Sequence, residues 1–258
     1  MRQNFQPVIL RYDSLPSTNT EAARQAAAGA AEGLCVVARE QTAGRGRRER
    51  AWASPKDAGL YVSIVLRPRL DPLAWSLITL AAALAVRDAL REACALETDI
   101  KWSNDLLARG RKLCGILAET VETVRGRACV VGVGVNLNEH AFPPEIAARA
   151  TSVEAETGRP PERDVLLAAI IRRLARQYER LREPGGGAAM LADFRAASSY
   201  AEGKRVRVAL GDDESIVGTT RGLEADGALR VETEDGEIKI VRAGDVVAVR
   251  QAAHEGSS

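Results

Sequence analysis

Leu34-Cys-Val-Val-Ala-Arg-Glu40 runs directly into Gln41-Thr-Ala-Gly-Arg-Gly-Arg-Arg-Glu-Arg50, followed by Ala51-Trp-Ala-Ser-Pro55. The apolar run predicts a strand, and the decamer behind it predicts a mobile basic loop hanging from the sheet. Gly44 and Gly46 stand among Arg45, Arg47, Arg48 and Arg50. Glycine lets a backbone approach a ligand closely, and guanidinium groups fork onto phosphate or carboxylate oxygens. The spacing is neither a Walker A loop nor a dinucleotide fingerprint, because position 49 is Glu where the latter needs Gly. Alone, the loop binds an anion or is a solvated charged surface. Its neighbours decide between these.

Upstream, Val8 to Tyr12 predicts a short strand and Asp13 to Thr20 a turn rich in capping side chains. A helix is expected from Glu21 to Ala28, and by themselves Ser17, Thr18 and Asn19 are no more than its N-cap. Downstream, Leu60, Val62, Ile64 and Leu66 alternate with Tyr61, Ser63 and Val65, a period-two strand closed by Pro68. A long apolar helix is expected over roughly Leu73 to Cys94. Asp99 to Leu107 predicts a strand that turns at Ser103-Asn104-Asp105, and Arg109-Gly-Arg-Lys112 a basic turn into the strand Leu113 to Glu119. After a hairpin at Arg125-Gly126, the strand Ala128 to Leu137 carries Gly132 and Gly134 on one face. Either a ligand lies flat there or a helix crosses closely.

Arg163 to Arg182 predicts an amphipathic helix, broken at Pro184 to Gly187 and resumed from Met190 to Ala197. From Val206 onward, short alternating runs are parted by Gly211-Asp-Asp, Asp226-Gly227 and Asp235-Gly236, which predicts a five-stranded barrel of the SH3 kind. The expected organisation is a mixed α/β domain over 1–200, the barrel over 201–252 and a disordered tail over 253–258.

Bulk properties narrow the partners. A net charge of +1 over 258 residues gives no global attraction to nucleic acid or an anionic membrane. The four cysteines form no C-x-x-C pair and have no nearby His, so zinc is not expected, and free thiols without a signal peptide point to the cytoplasm. The most apolar run, Ala74 to Val86, is shorter than the roughly 20 residues a membrane helix needs.

Five separated motifs now agree: Ser17-Thr18-Asn19; Gln41 to Arg48 with Trp52-x-Ser54-Pro55; Lys101-Trp-x-Asn-Asp105; Arg111-Lys112-Leu-Cys-Gly-Ile-Leu117; and Gly132-x-Gly-x-Asn136. In this order, and with the barrel behind them, the chain resembles the biotin protein ligases from about Val8 to Arg250. The resemblance implies a mixed central sheet similar to that of class II aminoacyl-tRNA synthetases with packed helices, plus an SH3-like C-terminal barrel. It departs from the family at Ser103, where Pro is usual, and at Glu49, where Gly is common. Ser103 is expected to loosen Asn104 and Asp105, and Glu49 to pair with Arg48 or Arg50. The first strand near residue 8 leaves no room for the DNA-binding domain of bifunctional relatives, so a ligase without DNA binding is expected.

The activity implied is two-step: biotin and ATP give biotinyl-5′-AMP and pyrophosphate, and a lysine of a biotin carboxyl carrier protein then takes the biotin and releases AMP. The carrier would belong to acetyl-CoA carboxylase or a related carboxylase. Arg47 and Lys112 are the implied catalytic residues. Ser17, Thr18, Asn19, Gln41, Arg45, Gly46, Arg47, Lys112, Gly115, Gly132 and Gly134 are the implied biotin contacts. Arg47, Arg48, Trp52, Lys101, Asn104, Asp105 and Asn136 would serve ATP, with Mg²⁺ on its phosphates near Asp105. A lipoate or other acyl-carrier ligase, and a non-catalytic biotin-responsive protein, are the alternatives. Whether the chain forms a homodimer stays open.

Overall fold

A computed structural model describes residues 5, 7–71, 74–138, 142–210 and 214–249. Residues 253–258 and the turn at 211–213 therefore lie outside the described residues. The larger domain is built on strands β1 (Val8–Leu15), β2 (Leu34–Gln41), β3 (Gly59–Leu66), β4 (Asp99–Lys101), β5 (Asp105–Ala108), β6 (Arg111–Val121) and β7 (Ala128–Asn136). They form one sheet in the order β1-β2-β3-β7-β6-β5-β4. β1 and β2 are parallel and every other pair is antiparallel.

The alternation of β3 separates two buried faces instead of a wet and a dry one, since all eight of its residues are buried. Leu60, Val62, Ile64 and Leu66 join a core shared with helix α2 (Leu77–Cys94) and helix α5 (Arg163–Leu181). On the other side, Val65 packs with Ala22 and Ala26 of helix α1 (Thr18–Ala27). A sheet covered by helices on both faces buries its strands twice over, which is why they read as near-continuous apolar runs.

Three boundaries differ from expectation. α1 begins at Thr18, and Ser17 at its N-cap makes no side-chain capping bond. α2 begins at Leu77; positions 72 and 73 lie outside the described residues. Helix α6 (Gly186–Ala197) takes in Gly186 and Gly187 of the expected breaker, with Gly185 at φ 74° before it. Two short helices not expected from the sequence, α3 (Pro144–Ala147) and α4 (Val153–Thr157), stand between β7 and α5, and Ser152 caps α4 through Ala155 N. Both are too short to carry a periodic signal.

The second sheet is wholly antiparallel, in the order β11-β10-β9-β8-β12, with β8 (Glu202–Ala209), β9 (Ser215–Leu223), β10 (Leu229–Glu232), β11 (Ile238–Val241) and β12 (Asp245–Ala248). It forms the SH3-like barrel. The barrel docks on the larger domain, where the Trp102 indole donates to Gly227 O at 2.9 Å. Among the described residues no helix is long and apolar enough to cross a membrane, and the four cysteines are free and buried.

Candidate active site

Strand register lays out the floor of the site. Tyr61, Gly134 and Gly115 face one another across β3, β7 and β6, and Ser63, Gly132 and Leu117 form the next row. Period two keeps Gly115, Leu117 and Glu119 on one face of β6. Both readings of the glycine pair are met in part. Helix α1 crosses at Gly132, where a Cβ would overlap the Asn19 amide, while the Trp52 indole lies over Gly134 and Gly115.

The α1 end of this floor is a closed polar network. Gln41 Oε1 accepts from Thr18 N at 2.8 Å and from Thr18 Oγ1 at 3.0 Å. Gln41 Nε2 donates to Ser54 Oγ at 2.8 Å. Ser63 Oγ donates to Asn19 Oδ1 and lies 2.8 Å from Thr18 Oγ1. Asn19 Nδ2 donates to Leu117 O at 3.2 Å and to Glu119 Oε2 at 2.7 Å. Buried polar groups so fully paired have fixed orientations. Thr18 and Asn19 thus do more than begin a helix.

The arginine loop is tied down at four side chains. Arg45 pairs with Glu119 at 2.7 Å. Arg47 donates to Ser103 Oγ and Asn104 Oδ1, both at 2.9 Å. Arg48, in the left-handed region at φ 52°, donates to the carbonyls of Ala209 and Leu210 in the barrel. Arg50 pairs with Asp245 at 2.7 Å, and Lys101 approaches the same carboxylate at 3.5 Å. Burial pushes the Arg47 guanidinium below its ordinary value, with the Asp105 charge opposing. Burial alone would raise Asp245, but its Arg50 hydrogen bond and the Lys101 charge outweigh that, and the net direction is down.

Lys112 pairs with Asp105 at 2.8 Å and sits 5.3 Å from the centroid of the Trp52 ring. Its backbone is gripped from the other side, where Lys112 N donates to Arg149 O at 2.7 Å and Lys112 O accepts from Thr151 N at 2.9 Å. Asn136 Nδ2 donates to Thr151 O at 3.0 Å. Glu156, whose side chain is 1 % exposed, binds Arg111 and the Thr151 hydroxyl and so locks both sides of this bridge.

Two adjoining cavities result. The first, about 150 Å³, is lined by Ser17, Thr18, Asn19 and Gln41 at one end and by Gly115, Gly132 and Gly134 beneath. Arg45, Gly46, Arg47 and Arg48 roof it, and Trp52, Asn104, Asp105 and Lys112 close it. The second, about 510 Å³, continues past Trp52, Asp105 and Lys112 and takes in Lys101, Asn136 and the barrel strand β12. Every residue implied to contact biotin or ATP thus lines one cavity or the other. Ser103 does not leave Asn104 loose, because Asn104 Nδ2 donates to Ile116 O at 3.0 Å and Asn104 O accepts from Ile116 N at 2.9 Å. The Glu49 side chain lies outside the described residues.

Sequence reasoning missed Ser63, Glu119, Glu156 and Asp245. Glu119 carried a usable signal, since period two from Gly115 puts it on the cavity face. Nothing local marks Asp245, which reaches the site only because the barrel docks there.

Comparison with known proteins gives the class, a ligase. Residues 12–136 match the Biotin/lipoate A/B protein ligase family and residues 203–248 match the Biotin protein ligase C terminal domain. The chain is 37% identical to the biotin–[acetyl-CoA-carboxylase] ligase of Mycobacterium tuberculosis over 91% of this chain and 86% of that one. It is 34% identical to the bifunctional ligase/repressor BirA of Bacillus subtilis over 91% of this chain and 72% of that one. The Aquifex aeolicus biotin protein ligase, solved in complex with biotin and ATP, superposes with a TM-score of 0.81 at 27% identity, over 94% and 99% of the two chains. The chain belongs to the biotin protein ligase family.

Proposed function

We propose that the chain is an ATP-dependent ligase that joins biotin to a lysine of a biotin carboxyl carrier protein through biotinyl-5′-AMP. One observation carries this reading: residues from five distant motifs converge on two cavities that meet at Trp52, Asp105 and Lys112. The glycine-floored cavity, with its neutral network of Thr18, Asn19, Gln41 and Ser63, suits an uncharged fused ring with a few polar atoms. The second suits a nucleotide, with Trp52, Lys101 and Asn136 on its walls.

In the first step a biotin carboxylate oxygen attacks the α-phosphorus of ATP, and the bond to pyrophosphate breaks. Two anions must meet, so the barrier is largely charge repulsion. Lys112, at the junction of the cavities, Arg47, on the roof of the first, and Arg45, at the biotin end, offset it. In the second step a carrier lysine amine attacks the acyl carbon, AMP leaves with the bonding electrons, and the amine proton passes to solvent.

The donor set also fits a phosphate-borne Mg²⁺. Asp105 Oδ1 is buried and, apart from the Lys112 ion pair, makes no aligned hydrogen bond. No cluster of three His, Cys, Asp or Glu occurs among the described residues. That matches a cation held by one or two carboxylates and the nucleotide, not a protein cage. Bound there beside Asp105, Mg²⁺ would supply charge neutralisation on the phosphates.

The test is ATP–pyrophosphate exchange with biotin, with lipoate and with neither, followed by transfer to a carrier domain. Exchange and transfer with biotin are expected; exchange that needs lipoate, or no exchange, would reject the reading.

A further inference from the structure

Glu119 lies at the end of the glycine-floored row, and a single oxygen, Oε2, accepts both from Asn19 Nδ2 and from Arg45, each at 2.7 Å. It therefore joins a fixed residue of the floor to a residue of the roof. The other ion-paired cations around the cavity, Lys112 and Arg50, are held by Asp105 and Asp245. Glu119 alone among these three carboxylates also orients a residue of the neutral pocket.

We infer that Glu119 is a positioning residue for carboxylate capture, orienting Asn19 and holding Arg45 in reserve until the substrate carboxylate replaces it. This rests on the proposal that the cavity takes biotin with Arg45 at its carboxylate. Three physical points support it. Four arginines crowded into one loop repel one another, so an internal counter-charge keeps Arg45 over the cavity when no anion is there. The Arg45 and Glu119 side chains are 46% and 32% exposed, so water screens the pair and exchange to a better-placed anion is cheap. Asn19, by contrast, is buried, with Ser63 fixing its oxygen and Leu117 O taking its other proton, so its bond to Glu119 persists after Arg45 leaves.

The inference separates the two roles of Glu119 by ligand charge. In Glu119→Gln the amide oxygen still accepts from Asn19 but, carrying no charge, competes only weakly with a carboxylate for Arg45. Calorimetric titration of the full chain should then show biotin binding about threefold to fivefold tighter than in wild type, the range of an exposed ion pair, with neutral biotinamide unchanged. Glu119→Ala also frees Asn19, so biotinamide should bind more weakly. In the ligand-free chain, trypsin should cut after Arg45 faster in Glu119→Gln than in wild type. Equal shifts for biotin and biotinamide in Glu119→Gln, weaker biotin binding, or an unaltered cleavage rate would each overturn the inference. A wild type that binds neither compound overturns the biotin reading instead, and the cleavage rate still decides whether Glu119 holds Arg45.

Discussion

The Trp52 indole lies so close over Gly134 that a Cβ on that glycine would stand 2.5 Å from the indole nitrogen. The same nitrogen is buried without a hydrogen-bond partner among the described residues. A glycine on β7 thus makes room for an aromatic side chain that borders both cavities, with Lys112 over its ring.

Gly134→Ala should therefore act through Trp52. Overpacking of this kind costs about 1–3 kcal/mol, read as a loss of stability in urea unfolding. In a Trp52→Ala background the same substitution should cost less than about 0.5 kcal/mol, because the clashing ring is gone. Equal losses in both backgrounds would show that backbone strain, not the indole, is the cause.

Lys112→Ala should abolish pyrophosphate exchange while the chain stays folded. Among the described residues Lys112 is the only lysine that lines both cavities, and its backbone is held by Arg149 and Thr151 whatever its side chain. Loss of such a charge from a preorganised site costs about a hundredfold or more in rate. Exchange within about tenfold of wild type, roughly 1.4 kcal/mol, counts against the role.

Arg47→Gly should release the adenylate early without stopping its formation. The guanidinium spans from the loop to Ser103 and Asn104, so its loss unties the roof while Arg45 and Lys112 remain. Biotin should then appear on bystander albumin incubated with the enzyme, biotin and ATP. A variant that forms adenylate yet labels albumin no more than wild type is not missing a clamp.

Asp245→Asn should weaken the docking of the barrel in a pH-dependent way. The carboxylate sits below its ordinary value of 3.8 in the folded chain. A depressed carboxylate adds stability that is fully present above the unfolded value and is lost as pH falls through the lower folded one. The gap in melting temperature between wild type and variant should stay constant from neutral pH down toward that ordinary value, then close below it. A gap that closes near neutrality would implicate another group.

Much of this site was legible because its signals are local. Period two in β6 and β7, glycines at cavity-facing positions and basic residues beside turns are set by backbone geometry within a few residues. They marked Gly132, Gly134, the basic turn at Lys112 and the arginine loop, and the resemblance supplied Gly115, the expected role of Lys112, the fold class and the ligand types. The short helices α3 and α4 escaped because four or five residues carry no periodicity, and their stability comes from neighbours.

Which charges meet was decided only in three dimensions. Arg45 finds Glu119 across 74 residues, Arg50 finds Asp245 across 195, and Arg48 reaches the carbonyls of Ala209 and Leu210. The sequence by itself determined that a basic, glycine-bearing loop would hang from a strand, that a later strand would carry two glycines on one face and that a small barrel would follow. Only the tertiary structure decided that the loop is tied to that barrel and to β6, because an ion pair falls off with distance in space and takes no account of distance along the chain.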